Sequence, residues 1–334
     1  MKTRGISYDT GFVRHGHTSR PHFDLEDVAR DLRVIRDELH CNAVRVMGGD
    51  PGRLEATADL AADLGLEVWF SPYPLELTTD EMLALFADCA ARAEQLRRRG
   101  AQVVFVAGAE LSLMNPGFLP GDSTDDRIAV LRDSAALREH LGTVSARVND
   151  VLTQAVTLIR DRFGGPVTYA SVPLERIDWT PFDIVSVDLY RSAAIADRFA
   201  DGVRQLVAQD KPVAITEFGS ATFAGAPERG AEGLTIVEYD QHGVPVRLTG
   251  EHARDEPGQA GYVRELLAIF DDGGVDAAFV FTFALYDHVH RADPRADLDR
   301  ASYGVVKVRE DQTWEPKAAF TAVAEVYGRM IAAR

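Results

Sequence analysis

Eight short apolar, β-prone segments alternate with helical patterns along this chain, and that rhythm limits the fold more than any other feature. The segments are Gly5–Tyr8 (GISY), Ala43–Met47 (AVRVM), Val68–Ser71, Val103–Ala107, Val167–Ser171, Ile184–Leu189, Val213–Thr216 and Ala277–Phe283 (AAFVFTF), numbered β1 to β8. Between them, Leu25, Val28, Leu32, Ile35 and Leu39 recur at helical spacing. Pro51 suits the first turn of a helix to Leu64, and Thr78 or Thr79 caps one running to about Arg99. A charged region from Thr124 to Phe163 reads as two helices broken near Gly142, and Ile195–Ala208, Gln259–Phe270 and Pro316–Met330 complete the set. Strands alternating with helices over this length predict a parallel sheet with crossover helices, whose usual closed form is the (β/α)8 TIM barrel. No linker or repeat divides residues 1–334, so one barrel domain is expected.

The segment 221–256 is too long for an ordinary barrel loop. Within it LTIVEYDQHGVPVRL alternates about a polar turn, which predicts a β-hairpin inserted after β7 and over the site.

Charge excludes one class of partner: 52 acidic against 36 basic side chains give a net charge of −16, unsuited to nucleic acid. No apolar run approaches the ~18 residues of a membrane span. Only two cysteines occur, Cys41 and Cys89, and the N-terminus enters a strand directly, so a cytoplasmic protein is expected.

In a barrel of this kind the chemistry gathers at the C-terminal strand ends. Those ends carry Asp9, Arg45, Glu110, Tyr190, Glu217 and Tyr286. Glu110 follows β4 in VFVAGAELS and Glu217 ends β7 in KPVAITEFGS. Strands 4 and 7 oppose one another, so the two carboxylates face one cleft. That pairing suits glycoside hydrolysis, in which one carboxyl protonates the leaving oxygen and the other attacks the anomeric carbon, with a separation of ~5–5.5 Å giving retention.

On these motifs the chain resembles the clan of (β/α)8 retaining glycoside hydrolases, over nearly its whole length. The resemblance implies that Glu110 is the acid/base and Glu217 the nucleophile, with no cofactor. It matches Arg45 to an arginine that contacts the nucleophile and Tyr190 to a tyrosine beside it, the two holding Glu217 ionised. It puts Phe281, Phe283 and Tyr286 where the clan carries an aromatic sugar platform. Ala109 stands where the clan usually has Asn, and the GAELS wording is nearer to family 113 mannanase-like enzymes. The substrate implied is an intracellular oligosaccharide or glycosylated metabolite. The alternative is a repurposed, non-catalytic barrel that binds a sugar-like metabolite.

Two further readings attach to histidines. FVRHGHTS, residues 12–19, resembles the signature of histidine phosphatases, with His15 as nucleophile and Arg14 as phosphate ligand, but it lies beyond β1 in a chain of different rhythm. His15 and His17, with Asp287, His288 and His290 after β8, could hold a metal, yet β5 and β6 end without the histidines of metal-dependent amidohydrolases. We read no metal, and take Asp9, His15, His17 and His288 as rim groups that hydrogen-bond a sugar. Asp188 is read as buried near the site or supporting Tyr190, and Asp293, Asp297 and Asp299 as a solvated acidic face.

Overall fold

The computed structural model describes residues 1–132, 134–240 and 243–332, with the backbone alone for 125, 132 and 134–136. Its strands are β1 Thr3–Asp9, β2 Ala43–Gly48, β3 Glu67–Pro72, β4 Val103–Ala109, β5 Val167–Ala170, β6 Val185–Asp188, β7 Val213–Phe218 and β8 Ala277–Val280. All neighbours run parallel in the order β5-β4-β3-β2-β1-β8-β7-β6. The two ends of that order meet through a Ser171–Val187 bridge, an Asp188 N–H donated to the Ser171 carbonyl at 2.8 Å, and paired Thr168 and Ser186 hydroxyls at 2.7 Å. The sheet is therefore a (β/α)8 barrel whose seam lies between β5 and β6.

The helices form where caps and apolar stripes coincide. Asp24 caps Leu25–Asp37 (α1), Asp50 with Pro51 opens Pro51–Asp63 (α2), and a Thr78–Glu81 capping box opens Thr79–Arg98 (α3). The charged region forms the two helices expected, Thr124–Arg132 and Ser134–Arg160 (α4), but Gly142 lies inside the second rather than between them. The buried stripe Val144, Val148, Leu152, Ala155 and Ile159 outweighs the roughly 1 kcal/mol a mid-helix glycine costs. Phe199–Val207 (α5), Glu256–Asp272 (α6) and Ala318–Ala332 (α7) complete the outer ring. Among the described residues no helix is long and apolar enough to cross a membrane.

Alternation along each strand sorts side chains between the helical shell and the barrel lumen. Tyr8 points outward, its hydroxyl donating to Asp31 of α1 at 2.9 Å, so Ser7 and Asp9 point inward. The lumen has an apolar floor, with Trp69 and Phe279 in contact at 4.6 Å between ring centres amid Ala43, Val104, Ala214 and Ala277. Above that floor the lining turns polar, and Arg45 spans it from Ser71 of β3 to the Thr216 carbonyl of β7.

The insertion after β7 contains the expected hairpin, Val237–Tyr239 paired antiparallel with Pro245–Leu248. It carries a small core of its own, in which Phe223, Ile236, Val237 and Leu248 pack with Leu298 and Tyr303 and lean on Tyr190 and Phe281.

Candidate active site

β7 is buried along its whole length and delivers Glu217 to the rim. A register shift after Val187 sets Asp188 of β6 opposite Glu217, so two carboxyls stand side by side on adjacent strands. Gly219 then turns the chain past β8 so closely that a Cβ there would meet the Phe281 carbonyl at 2.3 Å. Tyr190, two residues beyond Asp188, donates its hydroxyl to Glu217 Oε1 at 2.6 Å. The fully buried Arg45 lies 3.8 Å from Glu217 Oε2 and 3.7 Å from Asp188 Oδ1. Its direct hydrogen bonds go to Ser71 Oγ at 3.2 Å and the Thr216 carbonyl at 2.9 Å. The guanidinium is thus shared between two acids as an ion-pair partner and hydrogen-bonds neither.

Glu110 reaches the rim by a different device. β4 is bulged between Val106 and Ala109, and Glu110 follows in the left-handed region (φ 46°, ψ 40°). For a residue with a Cβ that conformation costs about 1–2 kcal/mol, and its neighbours hold it. The Glu110 N–H donates to the Ala170 carbonyl at 2.9 Å, the Leu111 N–H to Tyr169 Oη at 2.8 Å and the Ser112 N–H to Glu175 Oε1 at 3.0 Å. Tyr169 in turn donates to Glu175 Oε2 at 2.8 Å, so two buried side chains, one in β5 and one just beyond it, fix the turn that aims Glu110.

Burial drives the electrostatics of both glutamates. It raises Glu110 well above the carboxylate range, and the charges of Glu217, Asp188 and Glu175 push it further against a weaker pull from Arg45. Burial and then Asp188 lift Glu217 to about 8, although Arg45 and Tyr190 oppose them. Arg45 and Tyr190 therefore act in the direction expected of them, but a cation divided with Asp188 does not cancel desolvation. Tyr73, just past β3, is buried, and burial and then the charges of Glu110 and Glu217 raise its phenol well above the ordinary value. It packs edge-on against Phe12 at 5.0 Å, which ties the β1 loop to the cleft.

The remaining predicted residues divide. Asp9 is buried at the β1 end, accepting from the Gly11 N–H at 2.6 Å and from Ser19 Oγ at 3.3 Å. Burial and then the charge of Asp287 raise it to about 7. His288 is buried with Nδ1 2.6 Å from Asp287 Oδ1. His15 and His17 are exposed on a two-residue hairpin, Val13–Arg14 against His17–Thr18, whose turn residues His15 and Gly16 take φ of 48° and 80°. RHGH is thus turn chemistry rather than a phosphate-binding signature. Among the described residues no group of three or more His, Cys, Asp or Glu is placed to hold a metal.

Phe283 and Tyr286 offer no face to a ligand. The first is fully buried against Tyr8 and Trp314, and the second sends its hydroxyl to Asp31 with Arg20 stacked 3.6 Å above its ring. β8 ends early, at Val280, and the chain beyond it packs toward α1; only the partly buried Phe281 stays at the cleft wall, 5.7 Å from Tyr303. The acidic run after β8 also differs from expectation. Asp293 is exposed, but Asp297 and Asp299 are buried and ion-paired with Arg254, Arg300 and Lys317.

Sequence reading did not single out Tyr73, Tyr169, Glu175 or Tyr303. Tyr73 carries a signal, since it follows the β3 end as the other candidates follow theirs. Tyr169 lies inside β5 and reads there as an ordinary strand aromatic, while Glu175 and Tyr303 sit in connections whose return path only the fold defines.

No protein-family model and no curated protein matches the chain. Solved structures do. Two structures of a GH113 β-1,4-mannanase align over 98% of this chain and 99% of theirs, with TM-scores of 0.62 and 0.63 at 16% and 17% identity. A β-glucuronidase from Bacteroides uniformis aligns over 98% of this chain and 35% of its own, with TM-score 0.61 at 14% identity. Saccharomyces cerevisiae Gas2p aligns over 98% and 64%, with TM-score 0.53 at 13% identity. At such identities the likeness establishes the fold, which is the barrel of these glycoside hydrolases.

Proposed function

We propose that the protein is a retaining glycoside hydrolase, or a closely related glycosyl-transferring enzyme, acting through Glu217 and Glu110. The observation that carries this reading is a pair of rim carboxyls from opposite strands, each held by its own scaffold and each within the field of the other. Glu217 attacks the anomeric carbon as Glu110 gives its proton to the glycosidic oxygen, and the aglycone leaves as an alcohol. Glu110, now a carboxylate, takes a proton from water as that water attacks the same carbon, and Glu217 is released.

The environments favour this division of labour. Glu110 receives no hydrogen bond from the described residues, lies among acids and retains its proton. Glu217 has a phenol donor and a guanidinium to stabilise its anion. Asp9 and His288 are the rim groups best built to hydrogen-bond a sugar, with Tyr73 and Phe281 as its aromatic walls. Cys41 and Cys89 are both free and buried, which supports a reducing compartment and an intracellular oligosaccharide or glycosylated metabolite as substrate.

A panel of aryl glycosides of both anomeric configurations tests this with wild type, Glu217→Ala and Glu110→Ala. Each variant is expected to lose at least about 10³-fold in turnover, roughly 4 kcal/mol of transition-state stabilisation. NMR of the first-formed sugar should show retained configuration. Turnover of the same substrate at the wild-type rate by both variants would overturn the assignment.

A further inference from the structure

The two-glutamate reading leaves one buried acid unused. Asp188 ends β6 with a fully buried side chain, and neither of its oxygens takes a hydrogen bond from the described residues. Arg45 Nη2 and Thr216 Oγ1 beside it, and Ser7 Oγ on the strand next to Arg45, are likewise buried without a protein partner. The Thr216 hydroxyl lies beside the carboxyl without meeting hydrogen-bond geometry. Arg45 Nη1 stands almost equidistant between Asp188 and Glu217, at 3.7 and 3.8 Å.

A buried carboxylate keeps its charge only when paired or hydrogen-bonded. Here one guanidinium faces two acids on adjacent strands, with Glu110 a third acid in the same field. The other titratable groups facing the pair, Tyr73, Tyr190 and Tyr303, are phenols that supply no positive charge. Charge balance therefore calls for a proton on one of the two.

Resting on the two-glutamate reading, we propose that Asp188 is a positioning residue for the nucleophile, dividing Arg45 with Glu217 so that the two carboxyls share one proton. With the proton on Asp188, the charge of Arg45 serves Glu217 and the nucleophile is ionised. With the proton on Glu217, attack is blocked. No bond is made or broken; a proton changes owner within a coupled pair whose titration belongs to both.

Replacement of Asp188 by Asn removes the competing charge at nearly constant shape and leaves Arg45 to Glu217. The full-length protein, labelled with ¹³C at glutamate carboxyls, reports the Glu217 midpoint directly, its resonance assigned by its loss in Glu217→Gln. In Asp188→Asn that midpoint should fall by at least about one pH unit, tenfold in proton affinity. The acidic limb of the kcat/KM profile should move the same way. A midpoint displaced by less than about 0.3 unit, twofold in proton affinity, in a folded variant overturns the proposal. Should Asp188→Asn not fold, Asp188→Ala is read by the same resonance and the same thresholds. Because the resonance needs no substrate, a protein that hydrolyses no glycoside would sink the catalytic reading while still deciding whether Asp188 controls the Glu217 proton.

Discussion

Two groups of buried acids stand on the same rim and have opposite electrostatics. Around Arg254, Asp297 accepts from Arg254 at 2.9 Å, from Arg300 Nε at 2.9 Å and lies 2.8 Å from His290 Nδ1, while Asp299 meets Arg254 at 2.6 Å and Lys317 at 3.3 Å. Burial alone would raise Asp297, yet hydrogen bonds from Arg300, Arg254 and His290 hold it below the ordinary value. Around Arg45, two carboxyls share one guanidinium at ion-pair distance with Glu110 a third acid in the same field, and Glu217 rises to about 8. Both groups are carboxyls for which burial favours the neutral form. The supply of donors decides the sign. The first group ties the insertion to the β8 loop and the start of α7, whereas the second spends stability to keep reactive acids poised.

The largest effect should come from breaking the well-paired group. Arg254→Met removes a partner from both Asp297 and Asp299 and leaves buried charge under-compensated. Stability should fall by about 3 kcal/mol, measured from urea unfolding midpoints at pH 7. A loss below about 1 kcal/mol would place this network among ordinary surface pairs and erase the contrast.

The poorly paired group should respond with the opposite sign. The folded value of Glu217, about 8, exceeds its ordinary 4.5, so its favourable contribution is complete below pH 4.5 and is lost as pH rises through 8. Glu217→Gln should therefore match wild type near pH 5 and exceed it at pH 9 by on the order of 2 kcal/mol. Asp9 and Glu175, each raised to about 7 chiefly by burial, act in the same direction, so wild type itself should lose stability between pH 5 and 8. Thermal unfolding of both proteins at pH 5, 7 and 9 checks this. A variant less stable than wild type at pH 9 would show that Glu217 is better satisfied than its neighbours allow.

The same contrast explains what could be read in the chain and what could not. Strand periodicity and caps are local, so eight strands, their order of appearance and the hairpin after β7 were legible. Glu110, Glu217, Arg45 and Tyr190 were legible as strand-end residues, because the barrel sends all such ends to one face. Partner supply is not local. Arg254 and Asp297 lie 43 residues apart in the chain and bond directly, and Tyr169 holds Leu111 across 58. For Phe283 and Tyr286, the nominal β8 end lay at Phe283, but the strand stops at Val280 and the next turns carry both rings away from the cleft.

The acidic run after β8 sharpens the comparison at its smallest scale, because one local pattern contains both kinds of environment. Asp293 is exposed and its carboxylate accepts the Arg295 N–H at 2.9 Å, a turn contact that the Asn carbonyl can also make. Four residues on, Asp297 is buried among three basic groups. Asp293→Asn should therefore change stability by no more than about 0.5 kcal/mol, whereas Asp297→Asn weakens every charge-assisted bond in the network and should cost about 2 kcal/mol or more. Equal losses from the two substitutions, in parallel urea titrations, would mean that the run acts as one charged face and that burial does not separate its members. Unequal losses in the stated order would tie the difference to donors from Arg300, three residues along, and above all from Arg254, a group that the run itself could not announce.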